Sequence, residues 1–386
     1  KNLYEAVFNL TPFYAEGGGQ VGDTGYIEQD GEKYTVLNTK KENNVVVHYL
    51  KELPKNLKSS FQAFVDSRNR KKTERNHTAT HLLHEALRSI LGNHVEQKGS
   101  LVNPDHLRFD FSHFHKLSDE EIENVENAVN DKIRANLNVE EYRNLPMSEA
   151  EKMGAMALFG EKYGDTVRVI QFGDSIELCG GTHTASTGEI GLFKIVSESA
   201  VAAGIRRIEA ITGDTAKNYT DKKIMELEQI KVLLKNPKDA IKSVHQLMDE
   251  NAKLQKKIEG FEKQNVKALK ESLLLKIQKK DDLNIIAEVI SIDSAAAFKD
   301  LAFQMKDKIE NMILILGAVI NEKPSLSIMF SDNLVKDRGF NAGNIIREAA
   351  KEIQGGGGGQ PFYATAGGKK PDGIQKAVNK ALELCS

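Results

Sequence analysis

Two pairs of potential metal ligands stand far apart in the chain, and each pair has a spacing of four residues. The first pair is His77 and His81, and the second is Cys179 and His183. Imidazole nitrogens and a thiolate are the ligand types that favour zinc over harder cations, and three histidines with one cysteine can complete a tetrahedron. Glycines inside the second pair would let the backbone bend round an ion. The sequence therefore predicts a site for one Zn²⁺ per chain.

The same residues leave the role of the zinc open. Four protein ligands ordinarily form a closed, structural site. A helical pair combined with a Gly-rich pair instead suits the floor of a cleft, where zinc could polarise a carbonyl, activate a water or hold a substrate. Because four ligands leave no vacant coordination position, substrate positioning is favoured. A zinc peptidase is disfavoured, since its general base would be a glutamate directly after the first helical histidine and Thr78 stands there.

The patterns around these ligands predict an α+β protein in four parts. At the start of the chain, short apolar stretches alternate with turn residues such as Gly and Asp, which predicts a β-rich subdomain. An α/β zinc domain follows, in which a helix from Thr73 to Leu91 carries the first histidine pair. A run rich in Lys, Glu, Gln and Leu predicts an antiparallel, coiled-coil-like helical arm broken at Pro237, and an α/β globular domain closes the chain. The four predicted parts are residues 1–60, 61–214, 215–282 and 283–386.

Apolar residues in the second half of the arm step by alternating fours and threes, which is a heptad seam. An antiparallel neighbour would bury the seam, and an isolated solvated helix is the weaker alternative. The arm and the C-terminal domain are also candidate surfaces for a homodimer. The seam residues are Ala240, Val244, Leu247, Asn251, Leu254, Ile258 and Phe261.

Two basic segments predict contact with a phosphate backbone. One leads into the zinc helix, and beside a metal cleft phosphate contact is favoured over a merely solvated face. The other follows the glycine run at 355–359 and combines open backbone amides, an aromatic pair and two lysines, which favours single-stranded or bent RNA over a flexible linker. The predicted RNA contacts are Arg68, Arg70, Lys71, Lys72, Gly357, Lys369 and Lys370.

The composition excludes several classes of protein. A net charge of −2 means that contact with a polyanion must come from local patches. Two cysteines cannot build a disulfide framework, so we expect a reducing, cytoplasmic location. No apolar run approaches the length of a bilayer span, so we expect no membrane partner. Because Lys1 opens a strand-like pattern with no secretory signal, we expect the chain to be part of something longer.

Several strings in the chain resemble the C-terminal half of alanyl-tRNA synthetases, and the resemblance covers essentially the whole chain. The strings are Thr11–Gly25, Asn76–Leu83, Gln97–Ser100, Cys179–His183, Gly204–Ala210 and the terminal Gly-rich segment. The resemblance implies a post-transfer editing domain, a helical arm and a C-terminal module that binds the outer corner of tRNA(Ala). It also implies that the aminoacylation domain, with its ATP, Mg²⁺ and alanine sites, precedes Lys1.

The resemblance implies hydrolysis of Ser-tRNA(Ala) and Gly-tRNA(Ala) at the zinc site, within an enzyme that attaches alanine to tRNA(Ala). A physical argument for such editing does not depend on the resemblance. A pocket sized for alanine loses only about 1–3 kcal/mol of binding free energy when glycine lacks the methyl group, and it rejects the added hydroxyl of serine little better. The resemblance places Thr80 and Gln97 at the amino-acid pocket. We expect the amides of Gly180 and Gly181 to stabilise an oxyanion and Arg206 to contact the terminal nucleotide.

Three rival interpretations stay open at this stage. A free-standing deacylase acting in trans would begin with its own methionine. A non-catalytic tRNA-binding module would use the zinc only to hold its fold. The editing domain of threonyl-tRNA synthetases resembles the zinc site but lacks the long helical arm and the Gly-rich tail.

Overall fold

A computed structural model describes residues 3–157, 164–306 and 308–385. The chain divides into two compact units, one up to Val232 and one from Leu233 onward. Both contain helices and sheets, so the predicted α+β class is confirmed. Among the described residues, no helix combines the length and the apolar character that crossing a bilayer requires.

The described residues of the first unit form three sheets, with strand orders β1-β4-β3-β2-β5, β10-β9-β8 and β11-β12-β7-β6. Its strands are β1 (Tyr4–Val7), β2 (Gly25–Gln29), β3 (Glu32–Glu42), β4 (Val45–Leu50), β5 (Gln62–Val65), β6 (Gln97–Val102), β7 (Leu107–Ser112), β8 (Glu140–Pro146), β9 (Thr166–Phe172), β10 (Ser175–Leu178), β11 (Phe193–Ala202) and β12 (Ile205–Thr212). Its helices are α1 (Ser67–Leu91), α2 (Asp119–Arg134), α3 (Met147–Lys152) and α4 (Gly213–Leu233).

Helix α1 positions the first ligand pair. The Asp66 carboxylate caps its first turn by accepting hydrogen bonds from two backbone amides, at 3.1 and 3.0 Å. The helix ends at Gly92, whose φ of 115° lies in the region that favours glycine. The helix predicted from Thr73 is confirmed, and it begins six residues earlier, at Ser67, directly after this cap.

The four-stranded sheet of the first unit packs against α1 and α2. Phe109 and Phe111 from β7 and Phe193 from β11 meet Leu82 and Leu83 from α1 in one fully buried cluster. Burying a large apolar side chain contributes roughly 1.5–3 kcal/mol. The face of α1 that carries the ligands is therefore fixed by the packing of its neighbouring face.

The second unit contains one sheet with strand order β13-β14-β15-β16-β18-β17. Only the β14–β15 pair is parallel among the strands described. Its strands are β13 (Gln278–Lys280), β14 (Leu283–Ile290), β15 (Met312–Ile320), β16 (Lys323–Phe330), β17 (Gly356–Gln360) and β18 (Tyr363–Gly367). Its helices are α5 (Ala240–Leu274), α6 (Ala295–Lys306), α7 (Asp332–Arg338), α8 (Ala342–Ala349) and α9 (Ile374–Leu384).

The two ends of α5 differ in their surroundings. Near its C-terminal end, Val266 and Leu273 are buried with α6 in a core of the second unit. Its earlier part carries the predicted seam, and five seam residues are between 41% and 69% exposed: Val244, Leu247, Leu254, Ile258 and Phe261. The helix is confirmed, whereas the antiparallel pairing of the arm and the homodimer stay predictions.

The glycine run at 355–359 forms most of the edge strand β17, which pairs with β18. Its positions alternate in their need for glycine. A Cβ on Gly359 would clash with the carbonyl oxygen of Tyr363, whereas a Cβ on Gly358 would meet nothing within 4 Å. Close packing of two backbones therefore requires glycine at alternate positions.

We predict that Gly359→Ala destabilises the second unit by about 1–3 kcal/mol, because the added methyl group has to displace the backbone of β18. Gly358→Ala is the matched control and should leave the free energy of unfolding nearly unchanged. Urea denaturation followed by circular dichroism measures both. Equal stability of the two variants would contradict the packing explanation.

Candidate metal centre

The four predicted ligands come together in the first unit. His77 and His81 lie on α1, and Cys179 and His183 lie on the loop that follows β10. The ligand atoms of all four residues lie within 4.8 Å of one another. The Cys179 Sγ is 3.5 Å from His77 Nε2 and 3.3 Å from His183 Nε2. Two segments about a hundred residues apart thus present nitrogen and sulfur to a shared centre.

Two of the imidazoles are held through their Nδ1 atoms. His77 Nδ1 lies 2.7 Å from Gln20 Oε1, and His183 Nδ1 lies 3.2 Å from Thr78 Oγ1. These contacts fix the ring orientations and leave Nε2 of each ring facing the cysteine sulfur. Partners of this kind are usual for histidines that bind metals. Thr78 stands where a zinc peptidase would have its general base, and here its hydroxyl holds the His183 ring in place.

In His81, the third imidazole, the two ring nitrogens exchange roles, because Nε2 has the partner and Nδ1 is left open. His81 Nε2 lies 3.4 Å from Glu177 Oε2, and its buried Nδ1 has no hydrogen-bond partner among the described residues. A buried polar atom without a partner costs roughly 1–3 kcal/mol. A bound cation would remove that cost, so the residues present fit a zinc ion.

The electrostatic surroundings keep the imidazoles neutral. Burial, reinforced by neighbouring histidines and by Arg168, lowers the pKa of His77 and His183 well below the usual value. Burial also lowers the pKa of His81, although Glu177 acts in the opposite direction. Only a neutral imidazole offers a lone pair to a metal. The three rings are therefore ready to bind a cation at neutral pH.

Arg168 on β9 fixes the loop that carries the second ligand pair. Its guanidinium donates to the carbonyl oxygens of Cys179 and Gly181, at 2.9 and 2.7 Å, and to Glu141 Oε1 at 2.6 Å. Sequence reasoning missed this residue, because a single arginine in a strand has no spacing pattern to reveal it.

Gln20 connects the β-rich part of the unit to the same loop. Its side chain is fully buried, accepts a hydrogen bond from the Thr182 amide at 3.0 Å and donates to Thr182 Oγ1 at 2.9 Å. Sequence reasoning assigned Gln20 no role. Its place in the string Thr11–Gly25, which carries the family resemblance, was the available signal.

Thr80 and Gln97, the predicted pocket residues, have different surroundings. Thr80 is buried on α1, and its hydroxyl donates to the Asn76 carbonyl oxygen at 2.8 Å. Gln97 begins β6 and lines a cleft of about 270 Å³. The other residues lining this cleft are His84, Arg88, Glu96, Met156 and Ala157. Thr80 is not among the described residues that line it.

Two of the remaining predicted substrate contacts, Gly181 and Arg206, already have partners. The Gly181 amide, expected at an oxyanion, donates to Cys179 Sγ at 3.3 Å. Arg206 pairs with the nearly buried Glu198 at 2.5 Å. The Gly180 amide therefore becomes the better candidate for an oxyanion donor, and nucleotide contact by Arg206 stays a prediction.

The predicted RNA contacts fall on both units. Arg68 and Lys71 are exposed on α1, with Lys72 partly exposed, and Lys369, Lys370 and Gly357 are exposed in the second unit. Arg70 differs, because its guanidinium pairs with Asp23 and donates to the Pro12 carbonyl oxygen. This arginine holds α1 to the β-rich part, and its RNA contact stays a prediction.

Family models match three segments of the chain. The model for the threonyl and alanyl tRNA synthetase second additional domain matches residues 167–209, which include two of the four ligands. The class II (A) tRNA synthetase model matches residues 2–68, and the DHHA1 domain matches residues 282–386.

Curated relatives match the chain along its whole length. The alanine–tRNA ligase of Cytophaga hutchinsonii is 51% identical over 386 residues, which are 100% of this chain and 44% of the relative. That of Bacteroides fragilis is 53% identical over 385 residues, with the same two coverages. The chain belongs to the alanyl-tRNA synthetase family. It spans less than half the length of these relatives.

A solved structure also matches one part of the chain. The C-Ala domain from Aquifex aeolicus alanyl-tRNA synthetase is 25% identical to the matching part of this chain, with a TM-score of 0.26. The match covers 28% of this chain and 96% of the C-Ala domain. So low a score supports no conclusion about the fold. The family assignment therefore depends on sequence identity to alanyl-tRNA synthetases.

We predict that Gly181→Ala weakens zinc binding at least tenfold, because the new Cβ would clash with the His77 ring. Gly180→Ala is the matched control, since a Cβ there meets nothing within 4 Å. Competition with a chromogenic chelator gives both dissociation constants. Wild-type affinity in the Gly181 variant would mean that His77 is not a ligand.

Proposed function

We propose that this chain hydrolyses the ester between serine or glycine and the 3′-terminal adenosine of tRNA(Ala). One observation carries the proposal. In a member of the alanyl-tRNA synthetase family, two distant ligand pairs converge on one centre, and Glu177 joins the ligand His81 to His84, which lines the same cleft as Gln97. In the longer protein, we propose that a segment outside this chain attaches alanine to tRNA(Ala) with ATP and Mg²⁺.

The proposed metal is Zn²⁺, held by the residues named above: His77, His81, Cys179 and His183. When bound, the ion would polarise the ester carbonyl, activate a water or hold the aminoacyl group in place. Four ligands from the protein favour the last of these roles.

The protein's own groups would orient the substrate. The Gln97 amide both donates and accepts hydrogen bonds, so it would bind the serine hydroxyl or the attacking water. The Thr80 hydroxyl donates to the Asn76 carbonyl oxygen and keeps its lone pairs to accept a hydrogen bond. The Gly180 amide would donate to the oxyanion of the tetrahedral intermediate.

The RNA partner would be bound through phosphate contacts on both units. Arg68, Arg70, Lys71 and Lys72 would bind near the acceptor end, and Lys369 and Lys370 would bind elsewhere on tRNA(Ala). Packing of Gly357 against Ala366 already requires glycine at this position. The amide of Gly357 would still be able to bind a phosphate, so its RNA contact stays part of the proposal.

Three alternatives have separate consequences. A non-catalytic tRNA-binding module with structural zinc would bind the tRNA and hydrolyse none of its aminoacyl esters. A free-standing deacylase would be active without any further segment encoded upstream. An editing domain of threonyl-tRNA synthetase type would act on mischarged tRNA(Thr).

We predict that the protein hydrolyses Ser-tRNA(Ala) and Gly-tRNA(Ala) but not correctly charged Ala-tRNA(Ala). The paired substitution Cys179→Ala with His183→Ala should abolish both zinc binding and hydrolysis, because it removes half of the ligands. Release of radiolabelled amino acid measures the activity, and His245→Ala, an exposed position on α5, is the control.

Two results would contradict this prediction in different ways. A protein that binds tRNA(Ala) and releases neither serine nor glycine would be a binding module. A paired variant without metal but with full activity would remove zinc from the mechanism.

We also predict that Lys369→Gln with Lys370→Gln weakens tRNA(Ala) binding and reduces the slope of log affinity against log salt by about 1–2, because two phosphate contacts are lost. Lys279→Gln with Lys280→Gln removes the same charge from exposed positions of β13 and is the control. Filter binding at several salt concentrations measures both. An equal effect of the two pairs would show only a general loss of charge.

A further inference from the structure

Glu177 on β10 is a nearly fully buried carboxylate, with 2% of its surface exposed. Its two oxygens face two imidazoles of α1. Oε2 lies 3.4 Å from Nε2 of His81, and Oε1 lies 3.0 Å from Nδ1 of His84. An isolated carboxylate is too costly to bury, so both imidazoles have to compensate it.

The geometry of the two contacts makes Glu177 the acceptor. Each of its oxygens lies close to one imidazole nitrogen, at 3.4 Å from His81 and 3.0 Å from His84. A carboxylate oxygen accepts hydrogen bonds, and a ring nitrogen that carries hydrogen donates them.

This acceptor character determines where the hydrogen of each ring lies. Nε2 of His81 and Nδ1 of His84 both have to carry hydrogen in order to donate to Glu177. A neutral His81 with hydrogen on Nε2 has its lone pair on Nδ1, and this is the buried atom that lacks a partner among the described residues. Glu177 thus selects the tautomer of His81 that leaves Nδ1 open to a cation.

We propose that Glu177 and His84 are positioning residues for the metal centre. Glu177 fixes the ring orientation and tautomer of His81, and His84 holds Glu177 in place from the other side. Neither residue binds the ion itself.

The backbone supports the same arrangement. Glu177 pairs with Ile170 in the β10–β9 ladder, and on its other side it forms a bridge with Met156. It also stands two positions before the ligand Cys179. One short segment therefore carries both a ligand and the support for a ligand on α1, so the two halves of the site are aligned together.

The position of His84 adds a link to the substrate. His84 lines the cleft that also contains Gln97, and its buried Nε2 has no hydrogen-bond partner among the described residues. The cleft wall, the carboxylate and the metal ligand therefore form one continuous chain of contacts. A change at His84 should accordingly be detectable at the metal.

This inference depends on the proposed metal centre, and it is tested by metal binding without any measurement of activity. We expect Glu177→Ala to weaken zinc binding 10–100-fold and Glu177→Gln to weaken it about tenfold. A glutamine has a single acceptor oxygen, so it cannot accept from both rings. Glu126→Gln, which alters a partly buried carboxylate on α2, should retain the original affinity.

Two variants of His84 separate positioning from a general loss of packing. The amide nitrogen of an asparagine can take the place of Nδ1 of a histidine, so His84→Asn should preserve zinc affinity, whereas His84→Ala should lower it about tenfold. The visible absorption bands of the Co²⁺-loaded proteins report the ligand geometry. They should change in His84→Ala and Glu177→Ala and should match the original protein in His84→Asn.

The outcomes distinguish the two proposals. If the unaltered protein binds Zn²⁺ and the Glu177 variants, folded by circular dichroism, bind it equally tightly, the positioning role is wrong while the metal centre stands. If the unaltered protein binds no Zn²⁺, the metal centre itself is wrong, and this inference is wrong with it. Equal zinc affinities in His84→Ala and His84→Asn would overturn the role of His84.

Discussion

The meeting of two ligand pairs in a buried place is the constraint on which the first unit depends. Cys179 lies 102 positions from His77, so local structure alone cannot bring the two together. The packing of α1 against the four-stranded sheet fixes one pair, and hydrogen bonds from Arg168 fix the loop with the other. Three imidazoles that burial keeps neutral are stable there only because neighbouring side chains hold one nitrogen of each ring. The site is therefore a product of the whole unit.

Much of the fold could be predicted because it depends on local signals. The helix predicted to end at Leu91 does so as α1, and the predicted arm, rich in Lys, Glu, Gln and Leu, contains the long helices α4 and α5 on either side of Pro237. The glycine run gave no such signal, since glycine has low strand propensity and β17 forms only because β18 lies beside it. The strand β17 exists because it pairs with β18, and the residue pattern of the glycine run does not reveal that pairing.

The candidate site, like the fold, could be predicted only in part. Spacing singled out the four predicted ligands. His77 and His81 share one face of α1, whereas Cys179 and His183 stand four apart on the loop after β10. The residues that hold the ligands were missed: Gln20, Arg168 and Glu177 are single polar residues whose partners are distant in sequence. The cluster of basic residues around Arg70 predicts an exposed charge, whereas the pairing of Arg70 with Asp23 could not be read from the sequence. Spacing identifies functional residues that are close together in sequence, but not residues that meet only in the folded protein.

The bare edge of the second unit has a consequence for local motion. Because β17 consists almost wholly of glycine, it carries almost no side chains, and the strand regains more conformational freedom on opening than any other residue type would give it. Its hydrogen bonds to β18 should therefore open at a lower free energy than those of the buried strand β15. Amide hydrogens of this strand would then exchange with solvent while those of β15, three strands further in, stay protected.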